Sequence, residues 1–110
     1  WYLIPLIEGV DLGYYTIQSV NNFNKCFDSR DHSYNIGAAL QQYNCKNYND
    51  NLINDNRKFK FINITGTQFY IQVKHSSLVL DVPNWSADDV AIWQWEMWGQ
   101  ANQYWILTLR

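Results

Sequence analysis

Charged residues, glycine and proline are all scarce in this sequence. Of its 110 residues 16% are charged, and 8 Lys and Arg against 10 Asp and Glu give a formal net charge of −2. Nucleic-acid binding needs a basic surface, so we expect no such partner. With 5 Gly and 2 Pro, the composition is unlike that of collagen-like or disordered chains. No apolar run approaches the roughly 20 residues of a transmembrane helix, so no membrane span is predicted.

Residues typical of catalytic and metal sites are also few. Glutamate occurs only as Glu8 and Glu96. The two histidines, His32 and His75, lack the spacing to Cys, His or Asp that zinc sites and catalytic triads show. We interpret both as isolated surface-loop residues. No enzyme activity, metal or cofactor is predicted.

Aromatic residues, in contrast, are abundant. Six Trp, 8 Tyr and 5 Phe make up 17% of the chain, which is enough for one hydrophobic core but not for two. We therefore expect a single domain over residues 1–110. Short stretches rich in aromatic and β-branched residues predict strands at 14–20, 40–43, 59–64, 69–73, 90–95 and 104–109. The fold class is all-β, with the polar residues 45–58 as a long surface loop.

Comparison of the chain with itself predicts an internal repeat. Four landmarks recur in the same order: Tyr15-Thr16-Ile17-Gln18 with Phe69-Tyr70-Ile71-Gln72, Cys26-Phe27-Asp28 with Val79-Leu80-Asp81, Leu40-Gln41-Gln42-Tyr43 with Ile92-Trp93-Gln94-Trp95, and Asn56-Arg57-Lys58-Phe59 with Asn102-Gln103-Tyr104-Trp105. We predict one repeat over 14–63 and a second over 67–110. Residues 1–4 resemble 105–107, as the last strand of a preceding repeat would.

These landmarks resemble the ricin-type (R-type) lectin repeat, a four-stranded unit that bears an Asp and ends in Gln-x-Trp. Gln103-Tyr104-Trp105, preceded by Asn102, matches this ending. The resemblance covers nearly the whole chain and implies a β-trefoil, in which three such repeats close a barrel. Two repeats and one strand cannot close it. We therefore expect a domain that is incomplete at its N-terminus, with an upstream segment or another chain completing the trefoil.

The only two cysteines occupy the positions of the family's disulfide within a repeat. The resemblance implies a bond between Cys26 and Cys45, whereas the residues alone are equally compatible with two buried thiols. A disulfide indicates an oxidising compartment, so we expect a secreted, extracellular protein.

Sugar-binding residues are likewise implied by the resemblance. They are Asp81, Trp95 and Asn102 in the second repeat, with Gln103 bracing them, and Asp28, Gln41, Tyr43 and Asn56 in the first. A carboxylate accepts hydroxyl protons, an amide donates and accepts, and an aromatic face covers the C–H patch of a sugar ring. Trp95 is equally readable as a core residue, and Asp81 as a turn residue before Pro83.

Three other positions depart from the family pattern and qualify this assignment. Trp93 stands where many family members have Gln, and Arg57 and Phe59 replace the Gln and Trp of the ending motif in the first repeat. Among the remaining tryptophans, we predict that Trp98 and Trp105 lie in the core.

The function implied by the resemblance is non-catalytic glycan binding, with galactose or N-acetylgalactosamine as the commonest ligands in the family. Such a domain would target a larger secreted protein or toxin complex. The alternative is a β-trefoil that binds protein through its loops, as an assembly or inhibitor module with degenerate sugar pockets. An exposed patch of Trp85, Trp93 and Trp98 would favour the alternative, and convergence of Asp81, Trp95 and Asn102 would favour the lectin.

Overall fold

The computed structural model describes residues 1–7, 9–22, 24–45, 54–83 and 91–108. These ranges hold nine strands: β1 (Tyr2–Pro5), β2 (Tyr15–Gln18), β3 (Lys25–Ser29), β4 (Leu40–Asn44), β5 (Phe59–Thr65), β6 (Gln68–Val73), β7 (Val79–Asp81), β8 (Trp93–Trp95) and β9 (Trp105–Ile106). Short 3₁₀ helices lie between them at Gly9–Asp11, Arg30–His32, Asn54–Arg57 and Ala101–Gln103. The prediction of an all-β chain is confirmed.

The strands form one antiparallel sheet with the order β4-β3-β2-β5-β6-β7-β8, to which β1 adds at β2 and β9 adds at β6. The longest hairpin joins β5 to β6 through the turn at Gly66, with an irregular register between Asn63 and Thr65. Within the described ranges, β1 pairs with β2 alone and β9 with β6 alone. These two strands are therefore edges, and their completion by another chain or an upstream segment stays a prediction.

Several predicted strand limits need correction. β9 begins at Trp105, because the Tyr104 N–H still caps the preceding 3₁₀ helix by donating to the Ala101 carbonyl at 3.1 Å. β2 ends at Gln18, because Ser19 enters a turn in which its hydroxyl accepts from the Asn22 N–H at 3.3 Å. In the predicted loop 45–58, residues 54–57 form a 3₁₀ helix. The predicted strands 90–95 and 104–109 are too long, because the described residues 91–92 and 107–108 are not in strands. Residues 46–53, 90 and 109 lie outside the described residues.

The hydrophobic core consists of residues from both predicted repeats. Its buried members are Ile17, Phe59, Ile71, Val73 and Leu80, with Phe27, Leu40, Phe61, Ile92 and Trp105 packed around them. Alternate residues of β5 and β6 point inward, as the period of a strand requires. The predicted position of Trp105 against the core is confirmed, although its side chain is half-buried. Its indole N–H donates to the Leu80 carbonyl at 3.2 Å.

The predicted disulfide is confirmed. The sulfur atoms of Cys26 and Cys45 are 2.08 Å apart. The bond links β3 to the residue that follows β4, and therefore closes a hairpin whose strands also pair from Lys25 with Asn44 to Ser29 with Leu40.

A buried glutamine joins the two predicted repeats. Gln94 in β8 is 0% exposed. Its side chain makes four hydrogen bonds: its carbonyl accepts from the hydroxyls of Ser29 (2.8 Å) and Ser76 (3.0 Å), and its amide donates to the carbonyls of Ser33 and Asn35 (2.9 Å each). The backbone of Gln94 also bonds to Gly37 and Ala38. These bonds fix segment 29–39 against β8 at Gln94, which lies between Trp93 and Trp95 in the strand.

Candidate functional site

The first candidate site surrounds Asp81, the last residue of β7. Asp81 is 3% exposed, and its carboxylate accepts three hydrogen bonds. Trp93 Nε1 donates to Oδ1 at 2.7 Å, and Asn102 Nδ2 and Gln103 Nε2 donate to Oδ2 at 3.1 and 3.0 Å. An ionised carboxylate offers about four acceptor positions. The described donors fill three of these positions and leave one for a ligand at what we call the Asp81 site.

Local structure explains why these donors converge. In the β7–β8 hairpin, Asp81 pairs directly with Trp93. The 3₁₀ helix Ala101–Gln103 then presents Asn102 and Gln103 side by side to the end of β7. Gln103 is 0% exposed, and its amide also donates to the Glu96 carbonyl at 2.7 Å. Its carbonyl accepts from the Trp98 backbone N–H at 3.1 Å, which fixes the chain between β8 and the helix.

Two stacked indoles lie beside this carboxylate. The rings of Trp93 and Trp95 have centroids 4.8 Å apart and planes inclined by 24°. Gly37 approaches both rings, and a Cβ at this position would lie 3.6 Å from Trp93 and 3.7 Å from Trp95. Its φ of 88° is a conformation that favours glycine. The first predicted repeat thus supplies one wall of the aromatic pair, and Trp95 keeps part of its surface exposed.

Asn102 has one polar atom left over. Its Nδ2 donates to Asp81 and to the Val82 carbonyl, the latter at 3.3 Å. Its Oδ1 is buried, and no group in the described ranges donates to it. A buried acceptor without a donor costs free energy. The Asp81 site therefore combines an unpaired amide oxygen, a carboxylate with one open position and an aromatic surface.

A second candidate site has the same design around Asp28, in β3. Asp28 is 2% exposed and also accepts from three side chains. Gln41 Nε2 donates to Oδ1 at 3.1 Å, and Asn56 Nδ2 and Arg57 Nε donate to Oδ2 at 3.2 and 2.7 Å. Gln41 belongs to β4, and the other two donors lie in the 3₁₀ helix Asn54–Arg57. Each of these three described donors has a counterpart at the Asp81 site.

The two sites differ in the identity of those donors. At Asp81 the indole N–H of Trp93 takes the place of the Gln41 amide. The presence of Trp where many family members have Gln therefore keeps a hydrogen-bond donor to the carboxylate. At Asp28 the Arg57 guanidinium takes the place of the Gln103 amide. Its Cζ lies 5.3 Å from the centroid of the Tyr43 ring, the counterpart of Trp95, and Tyr43 is 48% exposed.

All eight predicted site residues thus fall into two clusters, four in each. Sequence reasoning did not identify Trp93 and Arg57 as members of these clusters, and it predicted the wrong environment for Trp98. That side chain is 53% exposed, because it lies in the non-strand connection after β8 rather than on an inward face. Trp85, named with Trp93 and Trp98 as a possible exposed patch, lies outside the described residues.

The histidines were also predicted wrongly as isolated. The ring centroids of His32 and His75 are 4.3 Å apart, because Gln94 holds segment 29–39 next to the turn that contains Ser76. His75 Nε2 lies 2.6 Å from the Ser33 carbonyl and donates to it. Burial is the largest influence on His75 and lowers its pKa.

An ion-pair cluster lies next to the Asp28 site, around the 3₁₀ helix Asn54–Arg57. Asp11 pairs with Lys58 at 3.0 Å and with Lys74, and Asp55 pairs with both lysines at 3.1 and 3.5 Å. The hydrogen bond from Lys74 is the largest influence on Asp11 and lowers its pKa. The same bond raises the pKa of Lys74. This cluster ties the 3₁₀ helix Gly9–Asp11 to β5 and to the end of β6.

The described ranges hold neither a metal-binding cluster nor a membrane-spanning helix. No group of three or more His, Cys, Asp or Glu side chains there is arranged to hold a metal ion. In the same part of the chain, no helix has the length and apolar character that crossing a membrane requires.

Comparison with solved structures identifies the fold. A designed 3-fold symmetric protein, ThreeFoil, superposes with a TM-score of 0.81 at 27% identity, over 96% of this chain and 69% of that chain. An exo-beta-1,3-galactanase from Clostridium thermocellum gives 0.82 at 32% identity, over 100% of this chain and 22% of that chain. A mosquitocidal holotoxin gives 0.72 at 20% identity, over 88% of this chain and 11% of that chain, and this likeness shows the fold alone.

The fold and the two Asp-centred clusters define a β-trefoil protein. A sequence profile described as "Ricin-type beta-trefoil lectin domain-like" matches residues 55–110. The chain belongs to this ricin-type β-trefoil lectin-like family, which confirms the fold and the resemblance predicted from the sequence. Comparison with curated proteins gave no match.

Proposed function

We propose that this domain binds glycans without catalysing a reaction on them. The observation that carries the proposal is the Asp81 site. There a carboxylate with one open acceptor position, an amide oxygen without a donor and a partly exposed indole lie together. Vicinal sugar hydroxyls would donate to Asp81 and Asn102, and the C–H face of the pyranose would pack on Trp95.

The galactanase comparison supports a galactose-type ligand. That enzyme is named for its action on beta-1,3-galactan, and our chain is 32% identical to it while spanning 22% of its length. We propose that the domain binds galactose- or N-acetylgalactosamine-containing glycans and directs a larger protein to them. The Cys26–Cys45 disulfide supports a secreted location for that protein. Two sites on one domain would raise a weak affinity through effective concentration.

Trp95 is the best residue for a test, because the carboxylate cannot be removed cleanly. Replacing Asp81 would leave the Trp93 indole N–H without its acceptor and remove one of the two bonds of each amide, Asn102 and Gln103, at about 1–3 kcal/mol of stability for each lost bond. Trp95→Ala removes the stacking face and leaves those bonds in place. We expect it to weaken binding of a beta-1,3-linked galactose oligosaccharide by roughly 1 to 3 kcal/mol in calorimetric titration.

Trp98→Ala is the matched control. Trp98 lies three residues away and is 53% exposed, and its bond to Gln103 comes from the backbone, which alanine keeps. We expect sugar affinity to be unchanged in this variant. Equal affinity in wild type and Trp95→Ala, or no binding by the wild type across a broad glycan panel, would reject the proposal.

The protein-binding alternative rests on one specific observation. Met97 and Trp98 are neighbouring apolar side chains that are 45% and 53% exposed. Exposed aromatic and Met side chains are typical of protein interfaces. Failure of all sugars to bind the folded wild type, together with tight binding of a protein that Trp98→Ala abolishes, would favour this function.

A further inference from the structure

The Asp28 and Asp81 sites have the same arrangement of donors around a carboxylate, but the charge of those donors differs. At Asp81 all three donors are neutral: one indole and two amides. At Asp28 one donor is the Arg57 guanidinium, 2.7 Å from the carboxylate, so the negative charge is compensated within the site. A ligand at the Asp81 site therefore meets an uncompensated carboxylate, whereas a ligand at the Asp28 site does not.

Arg57 also has hydrogen-bonding capacity to spare. The residue is 7% exposed, and its Nε donates to Asp28. Its Nη1 is buried, and none of the described residues supplies an acceptor for it. A guanidinium has five N–H donors, and burying a donor without an acceptor costs free energy. The buried polar atom without a described partner is thus a charged donor, Arg57 Nη1, at the Asp28 site. At the Asp81 site it is an acceptor, Asn102 Oδ1.

Tyr43 lies over this guanidinium. Its ring centroid is 5.3 Å from Arg57 Cζ, and the side chain is 48% exposed. An exposed aromatic ring next to a guanidinium with an unused donor suits a pyranose that carries a negative substituent. The ring provides the packing surface, and the cation provides a charge-assisted hydrogen bond.

We propose that the Asp28 site binds acidic sugars, namely uronic acids, whose carboxylate accepts from the Arg57 guanidinium. The Asp81 site takes neutral sugars. This inference rests on the proposed glycan-binding function and adds the ligand class of one site. It makes Arg57 the residue that distinguishes the two sites.

The test compares methyl galacturonide with methyl galactoside, which differ only at C6. Binding is followed by NMR through the Gln41 side-chain amide, a reporter of the Asp28 site, and through the Trp93 indole, a reporter of the Asp81 site. We expect galacturonide to bind the Asp28 site about tenfold more tightly than galactoside. That preference should shrink at high salt, because it depends on charge.

Arg57→Gln is the informative variant, because it reproduces the Asp and Gln pair that the Asp81 site already contains. We expect it to abolish the preference for galacturonide, and we expect Arg57→Lys to retain part of it. The control is Lys60→Gln, which removes the same charge from an exposed position on β5. We expect this variant to keep the full preference.

The outcomes separate this inference from the proposed function. Equal affinity of the Asp28 site for the two sugars in wild type, or a preference that survives Arg57→Gln, would overturn the inference. Binding of galactoside at the Asp81 site would still support glycan binding in that case. Absence of binding by either sugar at either site would overturn both. The comparison of the two sugars in wild type holds even if Arg57→Gln does not fold.

Discussion

The contact between the two predicted repeats depends on Gln94, and Gln94→Leu tests this dependence. Leucine is similar in size but cannot bond to the two hydroxyls and two carbonyls that surround the amide. Each intramolecular hydrogen bond contributes about 1 kcal/mol net, and carbonyls left buried without a donor cost more. The hydroxyls can reorient, and leucine gains from apolar burial. We expect a loss of about 3–5 kcal/mol in the free energy of unfolding.

The chain offers a matched control at Gln42. This residue occupies the equivalent place in the first predicted repeat, but its side chain is exposed in β4. Because it lies on the surface, we expect Gln42→Leu to change stability by less than about 0.5 kcal/mol. The same substitution in equivalent strands thus isolates the effect of the buried contact.

Urea unfolding of the two variants, followed by tryptophan fluorescence, measures the difference. For a domain of this size, a loss of 3–5 kcal/mol corresponds to a fall in Tm of roughly 12–20 °C. Equal unfolding midpoints for Gln94→Leu and Gln42→Leu would refute the reasoning. A large loss in both would show that β4 and β8 depend on their glutamines in another way.

Two further predictions concern the disulfide and His75. Reduction of the Cys26–Cys45 bond, which spans 19 residues, should lower the free energy of unfolding by about 3 kcal/mol. A Cys26→Ala/Cys45→Ala variant should not respond to reductant. Equal urea midpoints for the oxidised and the reduced wild type would contradict this prediction. Burial lowers the pKa of His75, so the unfolded chain binds the proton more readily, and stability should fall as pH drops through about 6.5. His75→Gln should lack this part of the pH dependence, and an identical dependence in both proteins would contradict it.

The sequence was most informative about contacts within one predicted repeat. The landmarks around Asp28 and Asp81 predicted both clusters, because each cluster is built from one hairpin and the 3₁₀ helix that follows it. The disulfide was predictable for the same reason, since it closes a single hairpin. Family resemblance contributed the expected partners of each side chain, which residue type alone leaves open.

Contacts between the predicted repeats were not visible in the sequence. Burial of Gln94 and the proximity of His32 to His75 both follow from the docking of segment 29–39 on the second predicted repeat. No pattern within either segment predicts this docking. The bond from Trp93 to Asp81 was not predicted for another reason. Comparison by residue type treats Trp and Gln as different, whereas the Gln41 amide and the Trp93 indole donate from equivalent positions to Oδ1 of Asp28 and of Asp81.

Sugar binding at the Asp81 site is the central claim, and the indole N–H signals of the tryptophans test it directly. Trp93 Nε1 donates to Asp81, whereas Trp105 packs against the hydrophobic core and its Nε1 donates to the Leu80 carbonyl. On titration with a beta-1,3-linked galactose oligosaccharide, we expect the Trp93 and Trp95 signals to shift and saturate while Trp105 stays unchanged. Absence of any indole shift at saturating sugar, or a shift confined to Trp98, would contradict the account.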